Sequence, residues 1–111
     1  MSEIVIHEYL DTSGRSLFVR WFNGLNAAAA ARVTLSVGRL EQGNFSQVKG
    51  VGRGIFELKV DFGPGYRVYF GKEGERVVIL VGGSSKDRQG EAIAAAQAAW
   101  EDFKRRKGRK E

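Results

Sequence analysis

The stretch GIFELKVDFGPGYRVYF, residues 54–70, decides the fold. Apolar and polar residues alternate on both sides of a Gly-Pro-Gly sequence, and this pattern predicts two strands joined by a turn. Successive side chains of a strand point to opposite faces, so the apolar residues share one face. We expect a three-residue loop, residues 63–65, because it matches the apolar faces. The expected cross-strand pairs are Phe62 with Tyr66, Val60 with Val68 and Leu58 with Phe70.

The opposite face of this hairpin is polar. The expected register places Lys59 opposite Tyr69 and Asp61 opposite Arg67, with Glu57 on the same face. One interpretation is a solvated strand face on which Asp61 and Arg67 form an exposed ion pair. The other is a binding or catalytic surface.

Length and composition limit the classes of protein. A chain of 111 residues is expected to form one domain with a sizeable core. Cysteine is absent and His7 is the single histidine, which excludes disulfides, thiolate metal sites and histidine clusters, so we expect neither metal nor cofactor. The N-terminal sequence has no signal-peptide pattern, and no apolar run reaches the ~20 residues of a membrane span. These features predict a cytoplasmic protein without a membrane partner.

The net charge of +5 is concentrated in two places. The tail, residues 104–111, carries six basic side chains and one acidic side chain, so the body, residues 1–103, is neutral with 12 of each sign. Within that body, basic residues exceed acidic ones around the hairpin. Candidate contacts with a polyanion are Lys49, Arg53, Lys104, Arg105, Arg106 and Lys107. The alternative for the tail is a solvated, frayed terminus.

The remaining elements follow from periodicity. Ile4 and Ile6 indicate a first strand that ends at the turn residues 11–14, and one-turn spacing of apolar residues predicts a helix over 17–25. Asn26 is a candidate N-cap of a second helix with Val33, Val37 and Leu40 on its buried side. Residues 45–53 are expected to be a loop, and RVVILV, residues 76–81, a strand that is buried on both faces. A Gly-rich turn, residues 82–87, precedes a last helix in which Asp87 or a serine is the N-cap. The inner side of that helix carries Ile93, Ala96, Trp100 and Phe103.

The order β-α-α-β-β-β-α predicts an α+β fold. We expect an antiparallel sheet with the two N-terminal helices packed on one face, followed by the C-terminal helix. The polar hairpin face is expected to be exposed on the other side of the sheet.

Several segments resemble one family. WFNGL, RLEQGN, VKGVGRGIFELKVDFGPGYRVYF and LVGGSSK are similar to the phage-derived, HigB-like branch of the RelE/ParE toxin superfamily, over roughly residues 18–100. The resemblance implies a RelE-like fold and the toxin of a type II toxin-antitoxin module. It further implies an endoribonuclease that cuts mRNA on the ribosome without a metal, and a cognate helix-turn-helix antitoxin as partner.

The resemblance also implies roles for individual residues. Arg67 matches the arginine of the GYR strand motif, where a guanidinium would bind the phosphate. Lys59, Lys49 and Lys86 match basic positions around the cleft. Glu57 or deprotonated Lys59 is the candidate base, and Tyr69 or Lys86 the candidate acid. The family turn usually reads GGDKSTQ, whereas this chain reads GGSSKDRQ, which shifts the lysine. Alternatives within the same superfamily are a ParE-like inhibitor of DNA gyrase and a toxin-like binding protein without catalysis.

Overall fold

Within residues 3–108 the fold is α+β, as the sequence predicts, with five strands and three helices. The computed structural model describes residues 3–108. The strands are β1 (Val5–Glu8), β2 (Val48–Gly52), β3 (Ile55–Val60), β4 (Tyr66–Glu73) and β5 (Val77–Ser85). The helices are α1 (Leu17–Asn23), α2 (Ala27–Glu41) and α3 (Gln89–Gly108), and the short 3-10 turn Lys86–Arg88 precedes α3. Within residues 3–108, no helix combines the length and apolarity needed to cross a membrane.

The five strands form one mixed sheet in the order β1-β5-β4-β3-β2. The prediction of an antiparallel sheet is wrong at one edge, because β1 runs parallel to β5. It also misses β2, since residues 48–52 pair with β3 although their sequence, VKGVG, lacks the alternation of a half-buried strand. The buried strand RVVILV lies inside the sheet, as expected, and β5 continues from it to Ser85 through the predicted turn.

The hairpin of β3 and β4 has a longer loop than predicted. Val60 pairs with Tyr66 and Leu58 with Val68, so five residues, 61–65, connect the strands. The three-residue loop is therefore wrong by a shift of two residues. Lys59 lies opposite Arg67 and Glu57 opposite Tyr69, and Asp61 lies in the loop and has no strand partner there.

The two N-terminal helices begin at side-chain caps. The Ser16 hydroxyl accepts a hydrogen bond from the Val19 N–H at 3.0 Å, and the Asn26 side chain accepts one from the Ala29 N–H at 2.9 Å, which confirms the predicted cap. Both helices pack on one face of the sheet, which we call the first face. The core there consists of Phe18, Val33, Leu40, Leu58, Val60, Val68, Phe70, Val78 and Leu80.

The second face of the sheet is covered by α3, so the prediction that it is exposed is wrong. Trp100, Ala96 and Ala99 pack against Ile55, Tyr69, Ile79 and Val81. Backbone without a side chain lets the helix approach closely, because a Cβ at Gly71 would lie 2.5 Å from the Trp100 ring. On the first face, the Trp21 ring similarly lies against Gly83. Near the start of α3, the second face carries the buried Glu57 and Arg67 beside the exposed Lys59.

Candidate functional site

Glu57 is the centre of the polar cluster. It is only 2% exposed, on the second face of β3. Gln89, the first residue of α3, donates a hydrogen bond from Nε2 to Glu57 Oε2 at 2.9 Å. The other carboxylate oxygen, Oε1, lies 3.6 Å from Arg67 Nε and 3.9 Å from Lys49 Nζ. A buried carboxylate needs such partners, because an unpaired charge away from water is costly.

Arg67 is also buried, with 7% of its surface exposed. Its Nη1 donates a hydrogen bond to the carbonyl oxygen of Tyr66 at 3.0 Å, while its Nε faces Glu57. The predicted surface pair with Asp61 is therefore wrong, since a buried pair with Glu57 takes its place. The two contacts hold the guanidinium in one orientation.

An open hollow of about 330 Å³ adjoins this pair. Its lining residues come from β2, β3, β4 and the preceding loop: Ser46, Gln47, Val48, Lys49, Glu57, Lys59 and Arg67. Lys49 and Lys59 are exposed, and each extends from the same face as Glu57. Three cations against one carboxylate leave the hollow with a positive balance that favours an anionic ligand.

Tyr69 lies beneath the site and is fully buried. Burial raises the pKa of its hydroxyl to about 12, and the nearby Glu57 carboxylate acts in the same direction. The hydroxyl is 3.2 Å from Ser84 Oγ, and Ser84 donates its own proton to the Ser85 carbonyl at 2.9 Å. This arrangement makes Tyr69 the donor to Ser84. A side chain buried in this way supports the site from within and does not contact a ligand in the hollow.

Lys86 lies at the edge of the site. Its backbone N–H donates to the Gly65 carbonyl at 3.0 Å, and its side chain is exposed. A Cβ at Gly65 would be 3.4 Å from Lys86 Cβ and 3.7 Å from Arg67 Nη1, so Gly65 lies against both side chains. Of the expected N-caps, Ser85 occupies the N-cap position of the 3-10 turn without a side-chain capping hydrogen bond, and its hydroxyl donates to Asp87 Oδ1 at 2.6 Å instead.

The other predicted polyanion contacts lie elsewhere. Arg53 occupies the β2–β3 turn with a left-handed φ of 56°. The basic residues 104–107 belong to α3, and at 1.5 Å per residue they begin about 22 Å along the helix from Gln89. Each pairs with a neighbouring acid: Lys104 with Glu101, Arg105 and Arg106 with Asp102, and Lys107 with Glu73. The structure therefore separates them from the cluster, and the end of the tail, residues 109–111, lies outside the described residues.

Gln89 is a site residue that the sequence reasoning missed. A signal for it exists in the spacing, because Gln89 precedes Ile93 by four residues and Ala96 by seven, which places it on the inner side of α3. A polar residue at the first turn of an otherwise apolar stripe indicates a buried polar partner. Glu57, on the facing strand, is that partner.

Comparison with known proteins gives one informative similarity. No protein-family model matches the chain. An uncharacterized protein of Haemophilus influenzae is 41% identical over 81 residues, which cover 72% of this chain and 82% of that protein. The chain belongs to the same family as that protein.

Proposed function

We propose that this chain is the toxin of a type II toxin-antitoxin module, a HigB-like member of the RelE/ParE superfamily that cleaves mRNA on the ribosome. The proposal rests on the resemblance of its sequence segments and on one observation in particular. The Glu57 carboxylate and the Arg67 guanidinium are held together at the wall of a hollow that Lys49 and Lys59 also line. We further propose that it acts in the cytoplasm and that a helix-turn-helix antitoxin neutralises it.

The proposed chemistry needs a base, cations and an acid. The 2′-oxygen of a ribose attacks the adjacent phosphorus, and the bond to the 5′-oxygen breaks, which leaves a 2′,3′-cyclic phosphate and a 5′-hydroxyl. Glu57 Oε1 accepts the 2′-hydroxyl proton, because Gln89 engages the other oxygen. Lys86 or Lys59 supplies a proton to the leaving 5′-oxygen. Burial raises the pKa of Tyr69, the other candidate acid, to about 12. Tyr69 therefore keeps its proton and acts as a positioning residue.

Arg67 has the phosphate role in this scheme. A guanidinium that is already oriented by Glu57 and the Tyr66 carbonyl needs no rearrangement when charge develops on the phosphate. Lys49 and Lys59 add mobile positive charge at the rim. The site thus combines one fixed cation with two adaptable cations.

Single-turnover cleavage of mRNA on programmed ribosomes tests the proposal. We expect Glu57→Gln to lose about 10² to 10⁴ in rate, since general-base catalysis contributes that much. Lys59→Ala tests the rim without touching the buried pair, and Arg15→Ala, an exposed arginine in the turn after β1, is the matched control. Wild-type cleavage by folded Glu57→Gln would contradict the base assignment. Rapid cleavage of naked RNA would contradict ribosome dependence.

The burial of both Glu57 and Arg67 favours a second candidate in which the pair is structural. The chain would then be a ParE-like inhibitor of DNA gyrase or a non-catalytic toxin-like binding protein. Purified gyrase should lose supercoiling activity in the presence of the chain if gyrase is the target. Inducible expression without growth arrest would favour the non-toxic alternative.

A further inference from the structure

A groove leads from the hollow beside Arg67 across the edge of the sheet to α2. It contains two further hollows, of about 140 and 230 Å³. The smaller one shares Ser46, Gln47 and Lys59 with the hollow beside Arg67, and the larger one shares Gln47 and Lys59 with both. This shared lining makes the three hollows continuous. We call the part formed by the two further hollows the α2 groove.

The loop that forms one wall of the α2 groove is fixed by hydrogen bonds. The carbonyl oxygen of Gln47 accepts a hydrogen bond from the Lys59 N–H at 3.0 Å, which joins the loop to β3. The Asn44 N–H donates to the Arg39 carbonyl at 2.8 Å, and the Asn44 side chain accepts from the Ser46 N–H at 3.0 Å. A ligand that binds between walls that are already ordered loses less free energy to ordering them.

One side of α2 forms the opposite wall. Arg32, Ser36 and Arg39 are spaced by four and three residues, so they lie on the same side of the helix. Ser36 is 8% exposed and lines both hollows, whereas the two arginines are exposed beside it. Leu35 lines the larger hollow and, at 58%, is the most exposed large apolar side chain of the described residues.

The cations of the α2 groove differ from those of the C-terminal helix in their surroundings. Within residues 3–108, no carboxylate oxygen lies within 4.0 Å of the side-chain nitrogens of Arg32, Arg39 or Lys59, whereas each basic residue of 104–107 has such a partner. Among the described residues, Asp61 is the one carboxylate that lines the α2 groove, and the cations outnumber it three to one. The α2 groove therefore favours an anionic ligand.

The rest of the lining favours a peptide over a nucleic acid strand or a small ligand. Among the described residues, no aromatic side chain lines the α2 groove, so it offers no surface on which a base could stack. Both hollows are smaller than the about 300 to 1,000 Å³ of sites that enclose a small ligand. Leu35 lies between Arg32 and Arg39 along α2, where an apolar side chain flanked by acidic ones would contact it.

We propose that the α2 groove binds an acidic segment of a partner protein. Carboxylates of this segment pair with Arg32, Arg39 and Lys59, and an apolar side chain packs on Leu35. The inference rests on the proposed function and specifies how a neutralising partner regulates it. Because the α2 groove opens into the hollow beside Arg67, the bound segment excludes RNA from that hollow.

Fluorescence anisotropy with labelled synthetic peptides tests the α2 groove on the full chain. One peptide alternates glutamate and leucine, a second replaces every glutamate by glutamine, and a third replaces every leucine by serine. We expect the first to bind most tightly. Arg32→Ala and Arg39→Ala should each weaken its binding about two- to fivefold, the range of exposed ion pairs. Arg15→Ala, an exposed arginine of the turn after β1, is the matched control and should bind like wild type.

Two further measurements separate a peptide from other occupants and the α2 groove from the cleavage site. Leu35→Ser should weaken the glutamate–leucine peptide and leave the glutamate–serine peptide unchanged, because only the first presents an apolar side chain. Arg32→Ala and Arg39→Ala lie outside the proposed cleavage site. They should therefore cut mRNA on ribosomes at the wild-type rate, and they should need more glutamate–leucine peptide for the same inhibition.

The contrary outcomes are distinct from failure of the proposed function. Equal affinity for the glutamate and glutamine peptides would overturn the inference. Slower ribosomal cleavage by both arginine variants in the absence of peptide would also overturn it, because the α2 groove would then contact RNA. Peptide binding that leaves wild-type cleavage unchanged would remove the regulatory role. A chain that binds the peptides as expected but cuts no mRNA would keep the acidic partner and remove the nuclease.

Discussion

Arg67 Nε lies 3.6 Å from Glu57 Oε1, and fewer than one tenth of either side chain is exposed. The two side chains form a buried ion pair on the second face of the sheet. A surface pair contributes at most about 1 kcal/mol, whereas removal of one partner of a buried pair leaves a desolvated charge without compensation. The proposed function and the stability of the fold are therefore coupled at these two positions.

The first prediction concerns this coupling. Arg67→Ala should lower the free energy of unfolding by about 3 to 5 kcal/mol, because Glu57 would be left with Gln89 and the distant Lys49. The double variant Glu57→Gln, Arg67→Met should recover most of that loss, since it removes both charges. Urea unfolding of wild type, Glu57→Gln, Arg67→Met and the double variant completes a double-mutant cycle and measures the coupling. Additive losses in the two single variants would show that the charges do not interact.

A consequence for assays follows. Loss of cleavage in Arg67→Ala cannot be assigned to catalysis until the variant has been shown to be folded at the assay temperature. Arg67→Lys keeps the charge without the bidentate fork, which makes it the better probe of phosphate binding.

The second prediction concerns the contact of α3 with the sheet. Gly71→Ala should lower the free energy of unfolding by about 1 to 3 kcal/mol, because its Cβ would lie 2.5 Å from the Trp100 ring and force the helix outward. Gly82→Ala is the matched control in the neighbouring strand, since no described atom lies within 4 Å of its Cβ position. Equal urea midpoints for the two variants would contradict the close packing of α3.

The third prediction concerns alkaline pH. The pKa of Tyr69 is raised to about 12 by burial, so the unfolded chain loses this proton near pH 10 while the folded chain keeps it. The contribution of Tyr69 to stability is thus fully present below pH 10 and is lost as the pH rises toward about 12. The total loss is on the order of 2 to 3 kcal/mol.

Tyr69→Phe should remove this part of the pH dependence. Burial also raises the pKa of Tyr9, so the comparison of wild type and variant at each pH isolates the contribution of Tyr69. Denaturant unfolding between pH 9 and 12 provides the measurement. Parallel curves for the two proteins over that range would place the Tyr69 hydroxyl in water.

The fourth prediction separates two adjacent arginines of α3. Arg106 contacts Asp102 at 2.9 Å, the Leu10 carbonyl and the Tyr9 ring, and the Tyr9 hydroxyl donates to the same Asp102 at 2.7 Å. These contacts join α3 to the chain that follows β1. Arg106→Ala should therefore lower the melting temperature more than Arg105→Ala, whose side chain makes an exposed i,i+3 pair with Asp102.

The same pair of variants tests the polyanion role of the C-terminal residues. If Arg106 is mainly structural, its replacement should leave the salt dependence of RNA binding nearly unchanged. A larger loss of slope for Arg106→Ala than for Arg105→Ala would instead give Arg106 a phosphate contact.

Alternation in the hairpin predicts which residues share a face, but not the register. Loops of three and five residues both place apolar side chains opposite apolar side chains, because they differ by two residues and the strand period is two. The observed pairing of Val60 with Tyr66 is therefore as compatible with the sequence pattern as the predicted pairing with Val68. In the observed register Phe62 lies in the loop, where the Arg32 guanidinium is 4.8 Å from the centroid of its ring.

The sequence does indicate that the second face of the sheet is covered, although the hairpin pattern alone does not. A strand that is apolar on both sides, such as residues 77–81, requires a layer on each face, and α3 has the apolar stripe to supply the second layer. The cluster of Glu57 with Gln89 depends on that long-range packing. The sequence pattern predicts that the polar residues of the hairpin share one face. The pairing of Glu57 with Gln89 follows only when α3 is placed on the sheet.

The position of β1 has a consequence for synthesis of the chain. Its ladder partners, Val77 to Leu80, are translated about 70 residues after it, and β5 is the strand beside which it lies. At roughly 5 to 20 residues per second, the N-terminal strand waits several seconds for its partner to leave the ribosome. An incomplete nascent chain can form the helical pair and the β3–β4 hairpin. It lacks β5, the strand that joins β1 to β4. The completed sheet, and with it the Glu57 cluster beneath α3, can arise only after β5 and α3 have left the ribosome.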